Sequence, residues 1–154
     1  ITNALGGEDK MLECKEGVYK LIEMFKKFYD DSHGKLVPVR AEVVVGDGEW
    51  GITGMIDQLF FNEKSGMLEI WDWKTNKAIK KENKWQQFKK PLSHLDVCEL
   101  NTYSLQLSFY RLIVERNTEL ELGDSYIVWF NENNDSYKVM KCFDFRDEIL
   151  KIMG

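Results

Sequence analysis

Two aspartates and one lysine form the pattern in this sequence with the clearest capacity for chemistry. Asp72 and Lys74 lie two positions apart in the apolar stretch IWDWK, and Asp57 lies in the preceding stretch GMIDQLFF. Aspartate and lysine are poor strand residues, so their presence in two strand-like segments needs an explanation. If EKSG is the loop of a hairpin, Asn62 pairs with Met67 and Asp57 lies directly opposite Asp72.

This register would bring two carboxylates and one ammonium group to a single face of the hairpin. Opposed residues of antiparallel strands lie about 5 Å apart, and Lys74 shares the face of Asp72. Neighbouring carboxylates repel each other unless a proton or a cation lies between them, and Mg²⁺ and Mn²⁺ prefer oxygen ligands. The pattern therefore indicates metal-dependent hydrolysis of a phosphodiester. A register shifted by one residue would instead place Asp57 on the opposite face.

Two other interpretations of these residues stay open. A short D-x-K pattern also occurs as a surface carboxylate–lysine pair beside an ordinary hairpin. Paired carboxylates near tryptophans also occur in glycosidases, but that interpretation leaves Lys74 without a role. Because Trp71 and Trp73 alternate with Asp72, we expect both indoles to pack beneath a flanking helix rather than to bind a ligand.

The segments around these residues predict one α/β (α+β) domain over residues 1–154, with a small mixed β-sheet flanked by helices. Apolar spacing predicts a helix over residues 9–30, followed by strands in KLVPVRAEVVV, ITGMIDQLFF and MLEIWDWK. A second helix is expected from Asn101, with Asn101 or Thr102 as its N-cap. Two more strands and a short helix at 145–153 complete the order α-βββ-α-ββ-α.

Charge is unevenly distributed along the chain. The net charge is −5, yet seven of the 21 basic residues lie between Lys74 and Lys90. This segment predicts an exposed loop or a loose helix whose lysines contact phosphates, with Trp85 available to stack on a base. A solvated loop kept soluble by its charge is the alternative. The lysines expected to contact DNA are Lys77, Lys80, Lys81 and Lys84.

The three cysteines, Cys14, Cys98 and Cys142, are widely spaced and odd in number. This arrangement argues against a disulfide framework, a zinc site or an iron–sulfur cluster. It favours reduced thiols in a cytoplasmic protein, or in a viral protein that acts in the host cytoplasm. No apolar run is long enough to cross a bilayer, so we expect no membrane partner. Because the chain begins at Ile1, we expect a fragment of a longer protein.

The stretch GMIDQLFFNEKSGMLEIWDWKTNK resembles the core of the PD-(D/E)xK nuclease superfamily and is most similar to its RecB-type exonuclease branch. The motif of that branch runs G-x-[IV]-D, a hairpin, then [IV]-x-D-x-K-T. The stretch YSLQLSFY is similar to its Y-x-x-Q-L-x-x-Y helix motif, with Tyr103, Gln106 and Tyr110 in the matching places. The resemblance covers residues 36–116 and implies a restriction-endonuclease-like core.

The resemblance implies a Mg²⁺- or Mn²⁺-dependent DNA nuclease, an exonuclease or exo-endonuclease. Its expected substrates are single strands or duplex ends in recombination, repair or phage replication. Asp57, Asp72 and the backbone carbonyl of Trp73 would bind the metal. Lys74 would position or activate the attacking water. The helix residues that would hold the active-site strand or contact DNA are Tyr103, Gln106 and Tyr110.

Further acidic positions are less clearly assigned. Glu42 matches an acidic position often found on the preceding strand, where it would contact the metal or water, or would merely face outward. The branch usually has a histidine or glutamate on an N-terminal helix near the metal. His33 is expected to be a solvated turn residue instead. The remaining candidates are Glu13, Glu16, Glu23 or a residue upstream of Ile1.

Two further expectations concern the whole protein. A fused or partner helicase or recombination protein would accompany a nuclease of this branch. The alternative function is a non-catalytic module on the same fold that binds nucleic acid or supports assembly, which the acidic overall charge favours.

Overall fold

The computed structural model describes residues 8–154, without the side chains of residues 8–12 and 14. Its elements are α1 (Glu8–Ser32), β1 (Leu36–Asp47), β2 (Ile52–Asn62), β3 (Met67–Lys74), α2 (Glu99–Asn117), β4 (Tyr126–Trp129), β5 (Lys138–Lys141) and α3 (Arg146–Met153). The predicted order of helices and strands is therefore confirmed, as is the α+β class.

The five strands form one mixed sheet in the order β1-β2-β3-β4-β5. The first three strands are antiparallel neighbours, β3 and β4 are parallel, and β5 is antiparallel to β4. A parallel pair requires a long crossover, which the lysine-rich loop and α2 provide here. This topology makes β3, the strand of Asp72, the central strand of the sheet.

The two faces of the sheet bury different side chains. On one face, Leu107 and Ile113 of α2 pack in a cluster with Ile56 and Ile70. On the other face, Phe28 of α1 packs in an aromatic cluster that includes Phe60, Trp71 and Trp73. The prediction that the two tryptophans pack beneath a helix is confirmed. Complete burial of each large apolar side chain contributes about 1.5–3 kcal/mol, so both helices are held firmly.

The β2–β3 hairpin has the predicted register. Asn62 pairs with Met67, and the ladder continues from there to Gln58 opposite Trp71. Asn62 also closes the loop, because its side-chain oxygen accepts the backbone N–H groups of Lys64 and Ser65. Alternation along β3 then directs Asp72 and Lys74 toward α2 and the tryptophans toward α1.

The alternation of side chains between the two faces of the sheet breaks within β2, at the position of Asp57. Ile56 and Leu59 both contact the α2-side cluster, whereas residues on one face of a regular strand are an even number of positions apart. On the neighbouring strand, Glu42 lies between two paired residues and has a φ of 51°. A positive φ is uncommon outside glycine, so the backbone is locally strained beside Asp57.

The predicted N-cap of α2 is wrong. The cap residue is Cys98, and Asn101 lies inside the first turn, where its side-chain amide donates to the carbonyl of Asp96 at 2.9 Å. The helix starts earlier because Cys98 and Leu100 are buried in the core. Burial of apolar side chains has outweighed the preference of asparagine for the cap position.

The lysine-rich segment forms an irregular, anchored loop rather than a helix. Ile79 is buried in the core, and the backbone N–H of Asn83 donates to Asp96 at 3.0 Å. Cys98 and Cys142 are free and buried, whereas the side chain of Cys14 lies outside the described residues. Among residues 8–154, none of the helices has the length and apolar character needed to cross a bilayer.

Candidate active site

Asp57 and Asp72 meet where β2 separates from β3. The ladder ends at Gln58, and beyond it the Asp57 carboxylate takes the place of a backbone acceptor. Its Oδ2 accepts the backbone N–H of Trp73 at 3.0 Å. Asp57 is close enough to Asp72 for the two carboxyl groups to interact directly. The predicted juxtaposition of the two aspartates is therefore present.

The electrostatics of Asp72 differ from those of a surface carboxylate. The residue is only 4% exposed. Burial, reinforced by the neighbouring carboxylate of Asp57 and opposed by the Lys74 ammonium, raises the pKa of Asp72 to about 6. A carboxyl group with a raised pKa in a cluster of charged groups is typical of functional sites.

Lys74 forms a close ion pair with Asp72, its Nζ lying 2.7 Å from Oδ2. The Lys74 ammonium therefore supplies the positive charge that this buried carboxylate oxygen needs. Two adjacent carboxylates fit a hard divalent cation, which prefers oxygen ligands and offsets their repulsion.

No third metal-ligating side chain joins the two aspartates in the part of the chain that the structure describes. Glu42 is exposed, in the strained position opposite Asp57. Helix α1 lies against the tryptophan face of the sheet, and its Glu23 pairs with Lys26 at 3.1 Å. Glu13, Glu16 and His33 are exposed, so the solvated turn predicted for His33 is confirmed.

Gln106 and Tyr110 lie on one side of α2, as their spacing predicts. The Gln106 side-chain amide donates to the Tyr110 hydroxyl at 2.9 Å. The Tyr110 ring covers β2 at Gly54, where an added Cβ would lie closer than 3.0 Å to the ring and the hydroxyl. This close approach fixes the distance between α2 and the strand that carries Asp57.

The loop after β3 displays the predicted lysines. Lys77, Lys80, Lys81 and Lys84 are exposed, and Trp85 is 94% exposed. A cavity of about 350 Å³ separates this loop from α2 and is lined by residues that include Lys80, Asn83 and Tyr103. The Tyr103 ring also lies under Lys74 Nζ, 4.4 Å from its centroid. Tyr103 therefore joins the lysine loop to the aspartate site.

Asn76 is a functional candidate that sequence reasoning missed. Its side-chain amide donates to the Tyr103 hydroxyl, and its backbone carbonyl accepts hydrogen bonds from Trp129 and Asn131. Its only sequence signal is its position two residues after Lys74, within DWKTN. An asparagine there is also typical of an ordinary turn, so the pattern alone does not indicate its contacts.

The geometry of the site agrees with the comparison to known families. A family model of the PD-(D/E)XK nuclease superfamily matches residues 10–147, which is most of the chain. The chain belongs to the PD-(D/E)XK nuclease superfamily. No curated protein matches the sequence. The five-stranded mixed sheet with its three helices is consistent with the restriction-endonuclease-like fold of PD-(D/E)XK nucleases.

Membership of this superfamily indicates the type of reaction and the class of substrate to expect. PD-(D/E)XK proteins typically hydrolyse phosphodiester bonds and generally use divalent metals. Their substrate is nucleic acid. The family match therefore supports phosphodiester hydrolysis rather than the glycosidase interpretation.

Proposed function

We propose that this protein is a divalent-metal-dependent deoxyribonuclease of the RecB-type branch that acts as an exonuclease on single strands or duplex ends. The observation that carries the proposal is the buried carboxyl pair of Asp57 and Asp72 beside the Lys74 ammonium. Membership of the superfamily supports phosphodiester hydrolysis. The order of the hairpin and helix motifs supports the branch, whose members would serve recombination, repair or phage replication.

The metal site would be formed by Asp57, Asp72 and the backbone carbonyl of Trp73. Mg²⁺ or Mn²⁺ bound there would supply Lewis-acid stabilisation of a phosphate oxygen. The closeness of the two carboxyl groups supports this assignment, because neighbouring carboxylates repel each other unless a proton or a cation lies between them. Glu42 is proposed as a further contact to the metal or to water, on the strand beside Asp57.

Lys74 has the main chemical role among the side chains of this site. Its ammonium group orients the attacking water and stabilises the negative charge that grows on the phosphate. The water oxygen forms the new bond to phosphorus, and the bond from phosphorus to the leaving sugar oxygen breaks. The attacking water releases a proton to the solvent, and the leaving oxygen takes up a proton from the solvent.

The surface beside this site is suited to a polyanion. The exposed lysines at positions 77, 80, 81 and 84 would contact backbone phosphates, and Trp85 would stack on an unpaired base. Gln106 and Tyr110 would hold β2 in place or contact the DNA backbone, together with Tyr103. A helicase or recombination protein, fused or separate, would deliver the DNA in the cytoplasm of a cell or of a virus-infected host.

The direct test is cleavage of end-labelled DNA. Single-stranded and double-stranded substrates are incubated with the protein in Mg²⁺, in Mn²⁺ and in EDTA, beside a matched RNA. Asp72→Ala should abolish metal-dependent degradation, and Asp135→Ala, at an exposed turn aspartate, should not. Release of mononucleotides from an end supports an exonuclease, whereas an internal cleavage ladder contradicts that part of the proposal.

A second candidate function is a non-catalytic module that binds nucleic acid. The observation that favours it is the absence of a third metal-ligating side chain near the two aspartates within residues 8–154. Such a module would bind DNA equally well with Mg²⁺ and with EDTA. It would degrade no substrate in any metal, and Asp72→Ala would leave its affinity unchanged.

A further inference from the structure

Lys74 is held between an anion and an aromatic ring. Its Nζ lies 2.7 Å from Asp72 Oδ2 on one side and 4.4 Å from the centroid of Tyr103 on the other. A lysine side chain has four rotatable bonds and many accessible conformations when it is free. Contact with the face of an aromatic ring stabilises the ammonium group and restricts its position.

Asn76 fixes the ring that Lys74 contacts. Its side-chain amide donates to the Tyr103 hydroxyl. Its backbone carbonyl accepts the indole N–H of Trp129 at 2.6 Å and the side-chain amide of Asn131 at 2.8 Å. These bonds tie Asn76 to the end of β4, so the Tyr103 ring is connected to the sheet as well as to α2.

The backbone of Lys74 is anchored on the same side. Its carbonyl accepts the backbone N–H of Phe130 at 2.8 Å, just beyond β4. The main chain, the ammonium group and the ring beneath it are therefore each attached to a rigid element. A reacting group is most effective when its supporting residues allow little movement.

We propose that Tyr103 and Asn76 are positioning residues that hold the Lys74 ammonium in its reactive location. Tyr103 acts through the face of its ring, and Asn76 acts by orienting that ring. This inference rests on the proposed nuclease function and gives Tyr103 a role inside the site, in addition to the DNA contact expected from the helix motif.

The kinetic test compares three variants with a matched control. Tyr103→Leu removes the ring and should lower kcat about 3- to 30-fold, the range of a cation–π contact. Tyr103→Phe keeps the ring but releases it from Asn76, so it should lower kcat by a smaller factor than Tyr103→Leu. Asn76→Ala should have the same kcat as Tyr103→Phe. The double variant that combines these two substitutions should lose no more activity than either single variant, because both substitutions remove the same hydrogen bond.

The control is Tyr137→Leu. Tyr137 also lies beneath a lysine, with Lys27 Nζ 5.9 Å from its ring centroid, but it belongs to the aromatic cluster on the α1 side of the sheet. Its substitution should leave kcat at the wild-type value. Equal losses of kcat in Tyr137→Leu and Tyr103→Leu would overturn the inference, since both effects would then reflect general destabilisation.

An NMR measurement tests the contact without depending on activity. The side-chain protons of Lys74, assigned with Lys74→Met, should be shifted upfield by the ring current in the wild-type protein and in Tyr103→Phe. The shift should disappear in Tyr103→Leu. A shift that survives in Tyr103→Leu, or a wild-type kcat in that variant, would overturn the inference.

Failure of the nuclease proposal would look different. A wild-type protein that cuts no nucleic acid in any metal would refute the proposed function and, with it, the catalytic part of this inference. The ring-current shift would still decide whether Tyr103 holds Lys74. A protein that cuts DNA while Tyr103→Leu keeps its full kcat would refute the positioning role alone.

Discussion

The Asp57 carboxylate accepts the backbone N–H of Trp73 at 3.0 Å, so a side chain of β2 completes the hydrogen bonding of β3 where the ladder between them has ended. Parallel pairing with β4 keeps the segment Asp72–Lys74 extended, and this bond satisfies the β3 edge where β2 no longer pairs with it. It also places the Asp57 carboxyl group next to that of Asp72. The end of the β2–β3 ladder and the position of the carboxyl pair are thus both linked to this hydrogen bond.

The metal-free protein should become less stable as the pH rises through the raised pKa of Asp72. Burial shifts this pKa from 3.8 to about 6 in the folded chain, so the folded state binds more protons than the unfolded state between these values. The free energy of unfolding should therefore fall by about 2–3 kcal/mol between pH 4 and pH 7. Urea unfolding in EDTA measures this change.

Asp72→Asn should remove that decline, because asparagine does not ionise. Asp31→Asn is the matched control. Hydrogen bonds from Lys27 and Tyr137 lower the pKa of Asp31, so its carboxylate stays ionised throughout this range. Its variant should keep the wild-type pH profile, and a profile for Asp72→Asn that is also wild-type would contradict the assignment.

Divalent metal should stabilise the folded protein through the two aspartates. At pH 8, with the metal at about 100 times its Kd, Mg²⁺ or Mn²⁺ should add about 3 kcal/mol and raise Tm by several degrees. The shift should vanish in Asp57→Asn and in Asp72→Asn, and it should persist in Asp135→Asn. Thermal melting monitored by circular dichroism detects it, and an undiminished shift in Asp72→Asn would place the metal elsewhere.

Gly54→Ala should damage both stability and activity. The added Cβ would lie closer than 3.0 Å to the Tyr110 ring, so the Tyr110 side chain, α2 or β2 must move. Overpacking of this kind destabilises by about 1–3 kcal/mol. Gly48→Ala is the control, since its Cβ would meet no atom within 4 Å. Urea unfolding and DNA cleavage should both distinguish the two variants, and equal behaviour would refute the tight α2–β2 contact.

The exposed lysine loop should govern the salt dependence of DNA binding. A variant with glutamine at positions 77, 80, 81 and 84 should bind single-stranded DNA more weakly. The slope of its plot of log affinity against log salt concentration should be shallower by up to about 3 units. Each lost phosphate contact reduces this slope by about 0.7. Fluorescence anisotropy in EDTA measures both quantities.

A control with the same change in charge separates local contacts from net charge. It carries glutamine at four other exposed lysines, at positions 15, 35, 64 and 151. If the loop contacts phosphates, this control keeps most of the wild-type slope. Equal slopes in the two variants would mean that only the total charge matters.

Sequence reasoning identified the hairpin because two local signals agree. The loop EKSG defines the pairing of Asn62 with Met67, and alternation along β3 then assigns a face to each residue down to Asp72. Both rules depend only on neighbouring residues, so no long-range information is required. The order of helices and strands was predictable for the same reason.

The features that escaped sequence reasoning depend on tertiary contacts. Glu42 adopts a positive φ although it is not glycine, and β2 breaks its alternation at Asp57. The start of α2 is determined by burial of Cys98 rather than by capping at Asn101. The role of Asn76 depends on partners that are distant in sequence, which spacing alone does not reveal.

If Lys74 acts chemically beside the two aspartates, its loss should slow DNA cleavage measured under single-turnover conditions. Lys74→Met keeps the length of the side chain and removes its charge. Lys138→Met is the control, because Lys138 also lies over an aromatic ring, 5.3 Å from the centroid of Trp129. Lys74→Met should cleave about 100-fold more slowly or worse with nearly unchanged DNA affinity, while Lys138→Met cleaves at the wild-type rate. A Lys74→Met protein that cleaves DNA as fast as the wild type would contradict a chemical role for Lys74.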